Sequence, residues 1–197
     1  MKLKISPPYE PITEKEFCCV PAVLQMIQTR RGFKCLSQDE IGYQLGLIVP
    51  KEKEHLFKQT RTGPEPRSGY GTQTSKKEFS IASYFRRNSL PLKLVKIKPH
   101  SLDELHSQLT ISIRNGDDVI ICYNSRLFGG DGNIEHVSLV QEVDLETGYL
   151  LVVDPAIDAP KLRETTMNRL YDILRTHVVS EHGGLWIVSS ATPSTEQ

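Results

Sequence analysis

The sequence predicts an α+β fold in which a helical N-terminal half packs against a mostly antiparallel C-terminal sheet. Apolar residues recur at helical spacing early in the chain, where Val20, Val23, Leu24 and Ile27 fall at i, i+3, i+4 and i+7. The second half contains short apolar runs separated by turns, namely VIICY, EHVSLVQEV, YLLVVDP and GGLWIVSS, which are typical of buried strands. Because helices come first and strands follow, an α+β layout with two lobes is favoured.

The length and the net charge of the chain limit its expected domain number and its expected partners. The 197 residues suit one domain, which we expect at residues 1–190, with 191–197 as a disordered tail. Because 24 Lys and Arg balance 24 Asp and Glu, neither nucleic acid nor an anionic membrane is expected as a partner. No apolar run approaches the ~20 residues of a membrane span, and the charged start MKLKISPPYE lacks the apolar core of a signal peptide. We therefore expect a cytoplasmic protein.

Two adjacent cysteines stand at the predicted start of the first helix. Pro21 suits a first helical turn, and the apolar period continues to about Arg31 before Gly32 closes the helix. The positive end of the helix dipole stabilises a thiolate, which is the attacking form of cysteine. Cys19 is the favoured nucleophile, and Cys18 stays an alternative because helix starts predicted from sequence shift by a residue or more.

Further helices and a long loop are predicted from local patterns. Ser-Gln-Asp-Glu from Ser37 is a capping box, and it opens a short helix with Ile41 and Leu45 on its apolar face. The polar stretch from Pro50 to Thr74 predicts a long surface loop, whose GPEPRSGYGT part is interpreted as the rim of a cleft. Beyond it we predict a helix over about Lys76–Asn88 that buries Phe79, Ala82 and Phe85, a strand LKLVKI, and a helix from Ser101 that buries Leu102, Leu105 and Leu109.

A histidine and an aspartate are placed by the strand pattern to serve a cysteine nucleophile. His136 opens one strand, and Asp154 ends the next, just before a proline. If residues 136–144 and 149–154 pair as a hairpin around the turn DLETG, His136 and Asp154 become neighbours at one edge of the sheet. A Cys-His-Asp triad requires such neighbours, because the histidine activates the thiol and the aspartate orients the histidine.

The other cysteines and histidines are given mostly structural roles. All four cysteines are expected to be free thiols in a reducing compartment, and the lack of a CxxC pair disfavours a structural zinc site. Cys35 and Cys122 are interpreted as buried apolar fillers. His177, on a predicted C-terminal helix, is the alternative base, and His182 beside two glycines is expected in a turn.

Taken together, these motifs resemble those of the papain-like peptidases that trim double-glycine leaders from bacteriocin precursors (peptidase family C39), and of related bacterial domains. CCVPA at a helix start, HVSLV at a strand start and VVDP at the end of the next strand match the three elements of that group. The order of GYGT, SLDEL and VIICY agrees as well, so the resemblance covers about residues 10–155.

The resemblance implies a papain-like fold, a peptide or amide substrate, and no metal or organic cofactor. It makes Cys19 the nucleophile, His136 the general base and acid, and Asp154 the residue that holds the imidazole. One departure concerns the oxyanion, because the family has a glutamine six residues before the cysteine and this chain has Thr13 there. The Thr13 hydroxyl is the candidate second donor beside the Cys19 backbone N–H, whereas a carboxylate from nearby Glu14 or Glu16 would repel the oxyanion unless protonated.

Three functions therefore stay open at this stage. The first is a cysteine hydrolase that works through a thioester intermediate. The second is an acyl or peptidyl transferase, in which an amine intercepts the same thioester. The third is an inactive papain-like module that binds a peptide or protein partner, and the missing glutamine is the feature that favours it.

Overall fold

Five α-helices and nine strands occur in the part of the chain that the computed structural model describes, residues 1–129, 135–176 and 183–191. The helices are α1 (Cys19–Arg30), α2 (Gln38–Gln44), α3 (Ile81–Arg87), α4 (Leu102–Arg114) and α5 (Met167–Thr176). The strands are β1 (Lys2–Lys4), β2 (Ile48–Val49), β3 (Arg61–Thr62), β4 (Leu92–Ile97), β5 (Asp118–Asn124), β6 (Glu135–Asp144), β7 (Tyr149–Val153), β8 (Leu162–Thr166) and β9 (Gly184–Ser190). Three helices thus precede β4, and five strands follow α4.

A seven-stranded sheet forms the second half of the molecule. Its strand order is β4-β9-β5-β6-β7-β8, with β1 added to β6, and every pairing in it is antiparallel. Strand β5 is buried along its whole length, as its apolar run predicts. The predicted α+β layout is confirmed. Strands β1 and β8 were not predicted from the sequence. Their sequences, KLK and LRETT, carry the charged and polar side chains typical of outer strands, and these side chains break the apolar pattern.

Helix α1 packs onto this sheet through the face that its apolar period predicts. Val23, Leu24 and Ile27 are fully buried, and α1 lies against β6, the strand that carries His136. Gly32 takes a φ of +71° just beyond the helix end, a left-handed conformation that glycine adopts without strain. Burial of α1 on β6 therefore brings the cysteine pair and the histidine strand to the same region of the molecule.

The segment predicted as one helix over Lys76–Asn88 is divided in two. A short 3₁₀ turn over Lys77–Phe79 comes first, and α3 begins only after Ser80, whose Oγ accepts a hydrogen bond from the Ser83 N–H at 3.2 Å. Ser80 is thus an N-cap that the apolar period did not reveal. Because the helix starts late, its buried face shifts and Ala82 is exposed. The fully buried large side chains of α3 are Ile81, Tyr84 and Phe85.

The capping box predicted for α2 is present, and a serine also caps α4. Ser37 Oγ accepts from the Glu40 N–H at 3.3 Å, and the Glu40 carboxylate accepts from the Ser37 N–H at 2.8 Å, so the capping box of α2 is complete. Ser101 caps α4 through its Oγ, which accepts from the Glu104 N–H at 3.0 Å, but the Glu104 carboxylate accepts from the His100 N–H at 2.7 Å, so the reciprocal bond of a capping box is not made. Of the predicted inward residues of α4, Leu102 is exposed because it is the first helical residue and precedes the buried face.

The stretch from Pro50 to Thr74 is more ordered than a plain loop. It contains a 3₁₀ turn, and its strand β3 pairs in parallel with β2. The ring of Tyr70 meets the ring of Phe17 edge to face, with centroids 6.1 Å apart. Since Phe17 stands two residues before Cys19, this part of the stretch borders the cysteine segment, as the rim interpretation expects.

Several predictions fall outside the described residues. These are the roles of His177 and His182 and, apart from Ala191, the disordered tail over 191–197. Helix α5 spans Met167–Thr176. None of the helices in the described ranges is both long and apolar enough to cross a bilayer.

Candidate active site

The two adjacent cysteines enter α1 in different environments. Phe17 takes a left-handed φ of +66° and turns the chain just before them. Cys18 is completely buried in a small cluster with Leu47 and Val49, and this burial raises the pKa of its thiol well above the ordinary value. Cys19 is the first residue of the helix and is partly exposed. Of the two thiols, Cys19 is therefore the one that a substrate can reach.

His136 and Asp154 form a direct hydrogen bond. Strands β6 and β7 pair as the predicted hairpin, with Leu139 opposite Val153, so the start of one strand lies beside the end of the other. The distance from His136 Nε2 to Asp154 Oδ1 is 2.7 Å, and Asp154 has no exposed surface. This bond fixes the imidazole and leaves Nδ1 as the ring nitrogen available for another partner.

Asp154 is held in turn by groups that the sequence analysis did not identify. Arg163 Nη1 donates to Asp154 Oδ2 at 2.9 Å, and the Ala156 N–H donates to Oδ1 at 3.0 Å. The Arg163 guanidinium also lies 3.7 Å from the ring centroid of Phe128. Arg163 lies on β8, a strand that its polar sequence did not predict. The sequence alone therefore did not place Arg163 beside Asp154.

The environment favours the charged forms of both His136 and Asp154. Burial disfavours the imidazolium, but the Asp154 carboxylate and the neighbouring Cys19 sulfur outweigh burial and raise the pKa of His136 to about 10. Burial likewise opposes ionisation of Asp154, but the bonds from His136, Ala156 and Arg163 hold the pKa of its carboxyl below the ordinary value. The pair is therefore predicted to be ionic at neutral pH.

This pairing predicts a pH dependence of stability. Because the pKa of His136 is raised from 6.5 to about 10, its contribution is complete below pH 6.5 and is lost as the pH rises toward 10. Urea unfolding of the wild type from pH 6 to pH 10 should therefore show falling stability, and in His136→Ala this alkaline decline should be reduced. Equal slopes in the two proteins would contradict the assignment. Since the pKa of Asp154 is lowered, its contribution is lost only in acid.

Cys19, His136 and Glu14 converge on one point. The Cys19 Sγ, a ring nitrogen of His136 and a carboxylate oxygen of Glu14 all lie within 4.8 Å of one another. The ring of Tyr123 supports His136 from the side at a centroid distance of 5.7 Å, and its hydroxyl is bonded to Ser138 Oγ at 2.8 Å. A thiol, an oriented imidazole and a carboxylate thus face the same volume, an arrangement suited to nucleophilic acyl chemistry.

Thr13, the predicted second oxyanion donor, does not take part in this convergence. Its side chain is exposed, and its main-chain oxygen accepts from Gln38 Nε2 at 3.0 Å. The next residue, Glu14, is half-buried, and its N–H donates to the Pro155 oxygen at 2.8 Å. This bond fastens the chain before α1 to the residue after Asp154. The family spacing of six residues before the cysteine selects Thr13. In the structure the residue beside the thiol is instead Glu14.

Comparison with known proteins identifies the fold. No family model and no curated protein matches the sequence. Among solved structures, a protein assigned as a C39-like peptidase from Bacillus anthracis superposes with a TM-score of 0.60 at 16% identity, covering 98% of this chain and 100% of that one. The fold is that of the C39-like peptidases. The papain-like fold that the resemblance implied is confirmed.

Two further structures share the C39-like fold. The peptidase domain of Streptococcus ComA, a bifunctional ABC transporter, has a TM-score of 0.53 at 13% identity and covers 93% of this chain and 99% of that one. A double-glycine motif protease from an AMS/PCAT transporter, solved with its leader peptide, has a TM-score of 0.50 at 11% identity, covering 96% and 99%. At such identities the likeness is one of fold, so the chemistry has to be argued from the site.

Proposed function

We propose that the protein is a cysteine peptidase or amidase that forms a thioester on Cys19. One observation carries the proposal: the Nε2 of His136 is bonded to the buried Asp154 at 2.7 Å, while His136 also lies within 4.8 Å of the Cys19 sulfur. An imidazole bound on one nitrogen by a carboxylate and facing a thiol with the other is the arrangement that produces a thiolate–imidazolium pair. A histidine kept only for packing would not need both contacts.

The proposed reaction follows from these positions. The Cys19 thiolate attacks the carbonyl carbon, and the C=O electron pair moves to the oxygen, giving an oxyanion near the N-terminus of α1. When the C=O bond reforms, the C–N bond breaks, and His136 gives its proton to the leaving amine. A water molecule, deprotonated by His136, then attacks the thioester and releases the acid and the thiol. Asp154 stays ionised and stabilises the imidazolium throughout.

A peptide is the proposed substrate class. Two of the solved structures with this fold are peptidases or peptidase domains of transporters, and one was determined with a leader peptide bound. In this chain the Tyr70 ring packs on Phe17, two residues before Cys19, and we propose that it contributes an apolar surface for an extended chain. The balanced charge of 24 basic and 24 acidic residues gives no reason to propose nucleic acid instead.

Trapping the thioester tests this proposal. The protein is mixed with an N-acyl amino acid p-nitrophenyl ester, quenched in acid within seconds, and analysed by intact mass and peptide mapping. We expect an acyl adduct on Cys19 in the wild type and in Cys18→Ala, and none in Cys19→Ala. The adduct should decay in water to the free acid. Absence of an adduct would contradict the proposal, and decay that depends on an added amine would show a transferase instead.

A further inference from the structure

The carboxyl group of Glu14 lies beside the Cys19 thiol, within 4.8 Å of its sulfur. We propose that Glu14 is a further catalytic residue, whose neutral carboxylic acid donates a hydrogen bond to the oxyanion and whose carboxylate form opposes its formation. Mild acid would then switch the enzyme on. This inference rests on the proposed function, because it requires acyl chemistry at Cys19.

The position of Glu14 is fixed by hydrogen bonds from its own N–H and from the N–H of the next residue. Its own N–H donates to Pro155 O at 2.8 Å, and the N–H of Lys15 donates to Gln38 Oε1 at 2.7 Å. The Lys15 ammonium is bonded to the Asp39 carboxylate at 2.5 Å. The segment before α1 is therefore tied both to the end of β7 and to α2. Such anchoring presents the Glu14 side chain to the thiol in a defined position.

The Glu14 carboxyl is available to a ligand. No residue in the described ranges donates a hydrogen bond to it, although it lies within 4.8 Å of both the Cys19 sulfur and a His136 nitrogen. The side chain is only half-buried, so part of its surface is accessible from solvent. The neutral carboxylic acid of Glu14 has one O–H, which it would donate to the substrate oxyanion.

Charged and titratable groups around Glu14 act on it in both directions. Burial raises the pKa of Glu14, and the negative charge of Asp154 acts in the same sense, whereas His136 and Lys161 favour the carboxylate. Lys161 is partly occupied elsewhere, because its ammonium donates to the backbone oxygens of Pro155 and Ala156. Among the described residues, the Cys18 and Cys19 thiols also lie near Glu14. A Cys19 thiolate and a developing oxyanion would both add to the preference for the neutral acid.

The two protonation states of Glu14 have opposite effects on the reaction. The acid form supplies the hydrogen bond that a glutamine would supply, and a carboxylic acid kept neutral by its site can serve as an oxyanion donor. The carboxylate form cannot donate and repels the oxyanion. Because the pKa of His136 is raised to about 10, the imidazolium persists in the acidic range in which Glu14 takes up its proton. Acid therefore adds the donor while His136 keeps the positive charge that stabilises the thiolate.

The substitution Glu14→Gln tests the inference, because it keeps the shape and makes the donor permanent. For an amide substrate, wild-type kcat/KM should be highest in mild acid and fall about tenfold per pH unit above the Glu14 transition. In Glu14→Gln that decline should vanish, and kcat/KM at pH 7.5 should exceed the wild-type value by at least ~10-fold. Glu14→Ala should stay ~10²-fold or more below Glu14→Gln at that pH.

Glu16→Gln is the matched control. It removes the same charge two residues away, from a carboxylate that is paired with Lys53 at 2.9 Å, and should leave the pH profile as in the wild type. A wild-type profile that Glu14→Gln leaves unchanged, or a loss of activity at neutral pH in Glu14→Gln, would overturn the inference. The wild-type profile gives an independent check, since activity that rises through neutral pH without an acidic maximum also contradicts it.

Alkylation of Cys19 by iodoacetamide separates this inference from the proposed function. Its transition state has no oxyanion, so Glu14→Gln should change alkylation far less than amide hydrolysis. Rapid alkylation and amide hydrolysis with a pH profile independent of residue 14 would remove Glu14 from the mechanism and leave the proposed function standing. Slow alkylation together with no acyl transfer in any variant at any pH would overturn both.

Discussion

Replacing Cys19 with alanine is expected to lower kcat/KM for an amide substrate by at least ~10³-fold, because the nucleophile that forms the thioester is removed. The fold should remain, since Cys19 is partly exposed at a helix start. Initial rates on a reporter peptide, with circular dichroism as a check on folding, measure both effects. No other described residue of the site offers a thiol at the same position.

Cys18→Ala is the matched control for that substitution. Because Cys18 is completely buried against Leu47 and Val49, a substrate cannot reach its thiol, and its removal should cost about 1 kcal/mol of stability and leave turnover near the wild-type value. The reverse result, with activity lost in Cys18→Ala and kept in Cys19→Ala, would mean that the assignment of the two thiols is wrong.

Asp118→Ala is expected to lower the free energy of unfolding by ~3–5 kcal/mol, the largest stability loss we predict for one substitution. The Asp118 carboxylate is fully buried and bonds to Arg30 Nε at 2.7 Å and Arg31 Nε at 2.5 Å. Tyr9 donates a third hydrogen bond, at 2.9 Å. Removing the carboxylate leaves two arginines at the end of α1 without their counter-charge and loosens the attachment of α1 to β5.

Urea unfolding measures this effect, and Asp117→Ala is the control. Asp117 is the neighbouring aspartate and is only half-buried, so its removal should change stability by less than ~1 kcal/mol. If Asp118→Ala and Asp117→Ala cost the same, the buried cluster does not fasten α1 as we argue.

The placement of His136 beside Asp154 could be predicted because strand pairing is set by a short local pattern. Two apolar runs separated by a turn sequence define a hairpin, and a hairpin fixes which residues are opposite each other. Near the turn Val143 pairs with Leu150, and a register shift between Val140 and Glu142, which the turn sequence does not predict, then places Leu139 opposite Val153. The cysteine position was predictable for a similar reason, since the helix period and Pro21 predict a helix start near the cysteine pair, and α1 begins at Cys19.

The residues around Cys19, His136 and Asp154 could not be predicted because long-range contacts position them. Glu14 lies in a segment without periodicity, and its path depends on a bond to Pro155, 141 residues further along the chain. Arg163 lies on an outer strand whose polar sequence gave no strand signal. The apolar period predicts that α3 starts earlier than it does. The Ser80 side chain caps the helix at its observed start, and the period does not reveal this cap.

The central claim is that Cys19 and His136 form a reactive ion pair, and the rate of iodoacetamide labelling against pH tests it most directly. The labelled site is determined by mass spectrometry in the wild type and in His136→Ala. We expect rapid labelling of Cys19 below pH 7 in the wild type and its loss in His136→Ala, because the imidazolium stabilises the thiolate. Labelling that is slow below pH 7 and identical in both proteins would contradict the account and leave a fold that serves binding alone.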